Sequence, residues 1–71
     1  MTLRHFRIFL AVCERLSMTE AARQLHISQP SVTQAIHEME NHYGILLFER
    51  LGRHIYLTAA GENLKQYAYQ I

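Results

Sequence analysis

The sequence predicts a mainly α-helical domain of the winged helix-turn-helix class, in which a three-helix bundle carries a β-hairpin wing and is followed by a C-terminal linker helix. Three observations lead to this prediction. Two short helical segments joined by a tight turn lie between residues 18 and 43, as in a helix-turn-helix. Beyond Gly44 the apolar spacing changes to the alternation of a short hairpin, and amphipathic helical segments lie towards both ends of the chain.

Length and composition limit the chain to one small domain. Its 71 residues, 49% of them hydrophobic, can build one core but not two. A chain of this size buries only about 60% of its unfolded surface, which favours support from a partner chain. The single Cys13 excludes an internal disulfide, fits a reducing cytoplasm and is expected to pack as a small hydrophobe, so we expect a cytoplasmic protein. The apolar run 8–13 is too short for a signal peptide or a membrane span, so we expect no membrane partner.

The first two helices are predicted from apolar spacing and capping residues. Helix one runs roughly from Thr2 to Arg15, with apolar residues at amphipathic spacing. Helix two is expected to be capped by Thr19, and its Ala21 and Ala22 allow a close helix crossing. Residues 26–27 form the turn, with Ile27 buried between the two flanking helices.

The third helix is predicted as the recognition helix, residues 28–43. Ser28 is a good N-cap, Pro30 falls in the first turn, and Gly44 can end the helix at positive φ. One apolar stripe is expected to face the core, formed by Val32, Ile36, Met39 and Tyr43. The opposite side is uncharged and hydrogen-bonding, which suits base edges and phosphates; it carries Gln29, Pro30, Ser31, Thr33, Gln34, His37 and Asn41.

Residues 47–57 predict a hairpin wing in which Ile55 and Leu57 face inward and Tyr56 faces out. Arg50 and Arg53 flank its tip, where guanidinium groups can reach phosphates or the minor groove. The alternative is a solvated hairpin whose basic residues serve solubility alone.

Thr58 is expected to cap a final helix over residues 59–71. Its apolar stripe consists of Leu64, Tyr67, Ala68 and Ile71. The stripe can pair with the same helix of a second subunit or pack back on helix one, and the sequence leaves both open. The helix stops with the chain rather than at a terminator, so we expect a piece of a longer protein. Residues 1–58 are thus assigned to the winged helix-turn-helix, with the helix-turn-helix at about 18–37, and residues 59–71 to the start of a linker and dimerisation helix.

The distribution of charge matters more than the formal net charge of +1. No acidic residue occurs from Arg23 through His37, and Glu14, Glu38 and Glu40 are expected to point away from the polar face or to lie at helix ends. Three histidines are expected in or beside the contact region; they are His26, His37 and His54.

Catalysis is not expected, because the sequence has no metal-ligand pair at i, i+4, no glycine-rich phosphate loop and no carboxylate pair in an apolar setting. We therefore expect no metal, no cofactor and no small-molecule site in this chain. A winged helix that binds protein is the main rival interpretation. The polar makeup of the predicted contact face argues against it, since a protein-binding face would expose Leu, Phe or Tyr.

Over essentially its whole length the chain resembles the N-terminal DNA-binding domain of the LysR-type bacterial transcriptional regulators. The matching positions are Phe9, Ala21–Ala22, Leu25, Ser28–Thr33, Ile36, Glu40, Gly44, Leu47–Phe48, Arg50, Arg53, Leu57–Thr58 and Ala60–Gly61. The resemblance implies sequence-specific binding of double-stranded DNA, dimerisation through the fourth helix, and an effector-sensing domain that this chain lacks. The chain departs from the family pattern at Gln34 and His37, where Arg or Lys is frequent.

The resemblance and the residue pattern together predict the DNA contacts, which are Thr19, Ser28, Gln29, Pro30, Ser31, Thr33, Gln34, His37, Arg50 and Arg53. A homodimer would place its two recognition helices in successive major grooves about 34–36 Å apart, on an interrupted inverted repeat. Higher oligomers are expected only for a full-length protein.

Overall fold

The computed structural model describes residues 1–71 as four helices and one antiparallel hairpin. In chain order the elements are α1 (Leu3–Arg15), α2 (Met18–Leu25), α3 (Gln29–Tyr43), β1 (Phe48–Leu51), β2 (His54–Leu57) and α4 (Ala59–Tyr69). The predicted winged helix-turn-helix with a fourth helix is confirmed. None of the four helices is both long and apolar enough to cross a membrane.

Side-chain caps set where the helices begin. The Ser28 hydroxyl accepts the backbone N–H of Ser31, and the Thr58 hydroxyl accepts that of Gly61, as their predicted capping roles require. The prediction that Thr19 caps the second helix is wrong. Ser17 is the cap, because its hydroxyl accepts the N–H of Glu20 at 3.1 Å, and Thr19 lies inside the first turn.

Residues in the left-handed backbone conformation set where these helices end. Gly44 closes α3 at φ 70°, as predicted, and its N–H donates to the Glu40 carbonyl. His26 closes α2 at φ 58°, a conformation uncommon for a residue with a side chain. The tight turn between α2 and α3 therefore fixes their relative direction.

The core lies where α1, α2 and α3 meet. Its largest fully buried side chains are Phe9, Val12, Val32, Ile36, Met39 and Leu47. Ala21 and Ala22 are buried as predicted and let α2 approach its neighbours closely. Two predicted core residues differ: Ile27 is only partly buried, and Tyr43 is exposed, because the last turn of α3 lies at the edge of the core beside the exposed Ile45.

The hairpin pairs Phe48 with Leu57 and Arg50 with Ile55. Ile55 is buried, Leu57 is partly buried and Tyr56 is exposed, so the predicted inward and outward alternation is confirmed.

The fourth helix divides its predicted apolar stripe in two. Ala68 is buried and Leu64 is partly buried in the core shared with α1, so packing on helix one accounts for these two side chains. Tyr67 and Ile71 remain 59% and 57% exposed, although the Tyr67 ring meets Phe6 edge-on at 6.5 Å between centroids.

Candidate nucleic-acid interface

The outward side of α3 forms a shallow polar surface, here called the α3 face. An open depression of about 540 Å³ lies along this surface. The residues that line the depression define the α3 face; they are Gln29, Pro30, Thr33, Gln34, His37, Glu38 and Asn41. All of these side chains are exposed except Thr33, which is partly buried. The face thus gathers the predicted groove-facing residues, apart from Ser31, on one side of the helix.

Several polar groups at the start of α3 are already oriented by one another. Gln29 Nε2 donates to Thr33 Oγ1 at 2.6 Å, which links two successive turns of the face. Ser28 and Ser31 lie together at the helix N-terminus, with their hydroxyl oxygens 2.8 Å apart. These two serines hold the cap, whereas Gln29 and Thr33 point along the open surface.

The position of Glu38 differs from the predicted charge distribution. It was expected to point away from the contact surface, yet it lies on the α3 face, one turn beyond Gln34. The reason is local, because residues at i and i+4 share a helix side. Gln34 Nε2 lies 3.4 Å from Glu38 Oε2, and His5 Nε2 lies 2.8 Å from Glu38 Oε1. The hydrogen bond from His5 holds the pKa of the Glu38 carboxyl below its usual range.

The other two acidic residues agree with the prediction. Glu40 turns away from the α3 face and accepts the backbone N–H groups of Leu47 and Phe48 at 2.9 and 3.4 Å. Glu14 is exposed in the last turn of α1. The negative charge on the α3 face therefore comes from Glu38.

A second concave surface, the wing cleft, separates the hairpin from the N-terminus of α2. It encloses about 340 Å³ and is lined by Leu16, Ser17, Met18, Thr19, Gln29, Arg50, Arg53, His54 and Ile55. Four predicted contact residues from three distant segments of the chain meet in this cleft: Thr19, Gln29, Arg50 and Arg53. The cleft has no acidic lining residue, and neither arginine forms an ion pair.

Backbone N–H groups add to the positive charge that Arg50 and Arg53 bring to the wing cleft. The first N–H groups of any helix lack partners inside that helix. Ser17 accepts the N–H of Glu20, which leaves the N–H groups of Met18 and Thr19 without a partner inside α2 at the positive end of the helix dipole. Gln29 belongs to both the wing cleft and the α3 face, so the two surfaces are continuous.

Comparison with known proteins places this architecture in a family. Residues 3–62 match the family model described as bacterial regulatory helix-turn-helix protein, lysR family. The chain is 52% identical over 61 residues to the HTH-type transcriptional regulator TfdS of Cupriavidus pinatubonensis, which covers 86% of this chain and 21% of that protein. It is 48% identical over 71 residues to the Hca operon transcriptional activator HcaR of Escherichia coli K12, covering 100% of this chain and 24% of that protein. The chain therefore spans about a fifth to a quarter of the length of such relatives.

Solved structures agree with the sequence relatives. A complex of the CbnR DNA-binding domain with DNA superposes with a TM-score of 0.93 at 40% identity, covering 99% of this chain and 80% of that one. A complex of the BenM DNA-binding domain with catB site 1 DNA gives 0.93 at 43% identity, with 99% and 79% covered. This chain belongs to the lysR family of bacterial regulatory helix-turn-helix proteins.

Proposed function

We propose that this chain is the sequence-specific DNA-binding domain of a LysR-type transcriptional regulator and that its ligand is double-stranded DNA. The observation that carries the proposal is the continuity of the α3 face with the wing cleft through Gln29. One polar helix face lies beside two unpaired arginines, which is the arrangement that base reading and backbone anchoring require together. The DNA complexes formed by the similar CbnR and BenM domains support it.

The α3 face would lie in the major groove. The Gln29 and Gln34 amides can each pair bidentately with adenine, and the Thr33 methyl group can contact a thymine methyl. The hydrogen bond from Gln29 to Thr33 orients both groups before DNA arrives, which reduces the entropy lost on binding. His37 lies farther along the same face and can donate to a base edge or a phosphate.

The wing cleft would hold the DNA backbone. The N–H groups of Met18 and Thr19 and the Thr19 hydroxyl lie at a helix N-terminus, which favours a phosphate. Arg50 stands opposite Ile55 on the inner face of the hairpin, and Arg53 lies in its turn. Both guanidinium groups can reach the phosphates that flank the groove, and Arg53 can instead enter the minor groove.

The proposed contact set keeps all ten predicted residues but gives them different tasks. The two serines of the α3 cap would approach phosphates at the helix N-terminus, with Pro30 beside them, whereas the side chains of the α3 face would read bases. Because Ser28 and Ser31 bond each other, the loss of either would act partly through the cap.

Two copies of the domain would bind together. Residues 1–58 form the proposed DNA-reading unit, and residues 59–71 begin the proposed linker and dimerisation helix. Tyr67 and Ile71 offer exposed apolar surface on that helix, while Leu64 and Ala68 fix it to its own domain. Such a dimer would recognise an interrupted inverted repeat. The whole regulator would act in the bacterial cytoplasm, where its operator lies.

Binding can be tested by fluorescence anisotropy of the chain with a labelled mixed-sequence duplex at several salt concentrations. Neutralised phosphates release counterions, so we expect log K to fall linearly against log salt with a slope of several units per dimer. A matched single strand should bind more weakly at each salt concentration. Absence of binding at low salt, with the fold verified by circular dichroism, would favour a protein-binding module instead.

A further inference from the structure

We propose that Glu38 determines base specificity by accepting a hydrogen bond from the amino group of a cytosine, and that His5 is the positioning residue that holds its carboxylate. The proposal rests on the proposed DNA-binding function and adds a specific base to it. Glu38 was not among the contact residues expected from the sequence.

The location of Glu38 puts it among the side chains proposed to read bases. It lies on the α3 face, next to His37 and one helical turn from Gln34, and its side chain is 49% exposed. It carries the one full formal charge of that face. A residue in this place meets the groove together with the glutamines.

The Glu38 carboxylate keeps free hydrogen-bonding capacity. An ionised carboxylate accepts only, through about four lone-pair sites. Glu38 Oε1 is engaged by His5 at 2.8 Å, while Glu38 Oε2 meets Gln34 at 3.4 Å, which is long for a hydrogen bond. Oε2 is therefore available to a stronger donor from outside the protein.

The chemistry of the major groove selects the partner of such a carboxylate. A carboxylate near phosphates is repelled unless it meets a donor, and the donors in the major groove are the amino groups of cytosine and adenine. Adenine places its acceptor N7 beside its amino group, so a second acceptor is disfavoured there. Cytosine N4 offers only donors on its exposed edge, and it is the usual partner of Glu and Asp.

A side chain of α1 supports the Glu38 carboxylate. The His5 side chain is 19% exposed, and its Nδ1 lies 2.8 Å from Thr2 Oγ1, the hydroxyl that caps α1. A neutral imidazole can satisfy both contacts, with Nε2 donating to Glu38 and Nδ1 accepting from Thr2. A glutamate side chain without a protein partner would lose rotamer entropy on binding DNA, whereas His5 already holds the Glu38 side chain in place.

The test begins with the unchanged chain. A preferred duplex is selected from a random library, and binding is then measured for duplexes that change each base pair in turn. We expect one position, adjacent to the one that depends on Gln34, to prefer cytosine by about tenfold.

Glu38→Gln should abolish that preference or move it towards adenine, since an amide pairs with adenine, and should leave the other positions unchanged. Glu62→Gln is the matched control, because it makes the same chemical change on an exposed residue of α4. If Glu38→Gln retains the entire base profile and only binds all duplexes more tightly, the inference is wrong and DNA binding stands. If the unchanged chain binds no duplex, both the inference and the proposed function are wrong.

A double-mutant cycle tests the role of His5. His5→Ala should weaken the preference at the same single position, and the double variant with Glu38→Gln should lose no more than Glu38→Gln alone. His5→Gln, which can still donate to the carboxylate, should restore part of the preference. If His5→Ala instead weakens binding equally for every base change and lowers the melting temperature, the role of His5 is purely structural. That result would overturn the proposal that His5 positions Glu38.

Discussion

The Glu40 carboxylate accepts the backbone N–H of Leu47 at 2.9 Å. Leu47 is fully buried, so its N–H depends on this acceptor. The bond joins the recognition helix to the segment that leads into the hairpin. It therefore helps to fix the position of the hairpin relative to α3.

Glu40→Ala should destabilise the fold, because it leaves a buried N–H without a partner. Bonds to charged groups contribute about 1.5–3 kcal/mol, and we expect a loss of that size in urea unfolding. Glu40→Gln keeps an acceptor oxygen and should lose less. Glu49→Ala, which removes the same charge from an exposed site on β1, is the control; equal losses for Glu40→Ala and Glu49→Ala would contradict the assignment.

Gly61→Ala should also destabilise the fold, for a steric reason. A methyl group at Gly61 would overlap the Leu47 carbonyl oxygen and lie 2.7 Å from Leu57 Cδ2, so backbone would have to move. Overpacking of this kind costs about 1–3 kcal/mol, and thermal unfolding should show it. Asn63→Ala, at an exposed site on the same helix, should leave the melting temperature nearly unchanged. A melting temperature for Gly61→Ala equal to that of the unchanged chain would show that this close approach does not exist.

Cys13 should make stability sensitive to alkaline pH. Burial raises the pKa of its thiol from 9.0 to about 12. Above pH 9 the unfolded chain releases this proton while the folded chain keeps it, so the stabilising contribution is lost as pH rises towards 12. Urea unfolding at pH 8 and pH 10 should therefore show a larger decrease for the unchanged chain than for Cys13→Ala. Equal decreases in the free energy of unfolding for the two proteins would refute the raised pKa of Cys13.

Arg53→Ala should weaken binding to all duplexes alike and lower the salt slope by roughly one per protomer, because one phosphate contact is lost. Arg7→Ala is the control, since Arg7 is exposed on α1 and lines neither the α3 face nor the wing cleft. Anisotropy titrations at four salt concentrations would measure both slopes. An unchanged slope for Arg53→Ala would remove this residue from the interface.

Tyr67→Glu should weaken self-association by about tenfold or more, because it puts a charge in the proposed apolar contact between two copies of α4. Gln66→Glu adds the same charge to the neighbouring exposed position and should have a smaller effect. Sedimentation equilibrium gives both dimer constants, and circular dichroism confirms that α4 remains folded. Dimers of unchanged strength in Tyr67→Glu would place the subunit contact elsewhere.

The sequence predicted those features that depend on local chemistry. Ser28 and Gly44 mark the ends of α3 because capping and positive φ are properties of single residues. Thr19 was mistaken for a cap although Ser17 and Glu20 have the spacing of a capping box, a local signal that was available.

Features that depend on packing between elements could not be predicted in the same way. The partner of Glu38 is His5, which belongs to another helix 33 residues away in the chain, so this contact could not be predicted. The place of Glu38 on the α3 face, by contrast, follows from its i, i+4 spacing to Gln34, a local signal that was available. The division of α4 into buried Ala68 and exposed Tyr67 depends on how that helix crosses α1, which its periodicity does not specify.

The most direct test of the central claim is a map of amide chemical shifts in a ¹⁵N-labelled chain titrated with the preferred duplex. We expect the largest changes at residues of the α3 face and the wing cleft, including Gln29, Gln34 and Arg53, and small changes around Arg7. Changes confined to α4 or to the α1 surface around Arg7, with the α3 face unaffected, would contradict it.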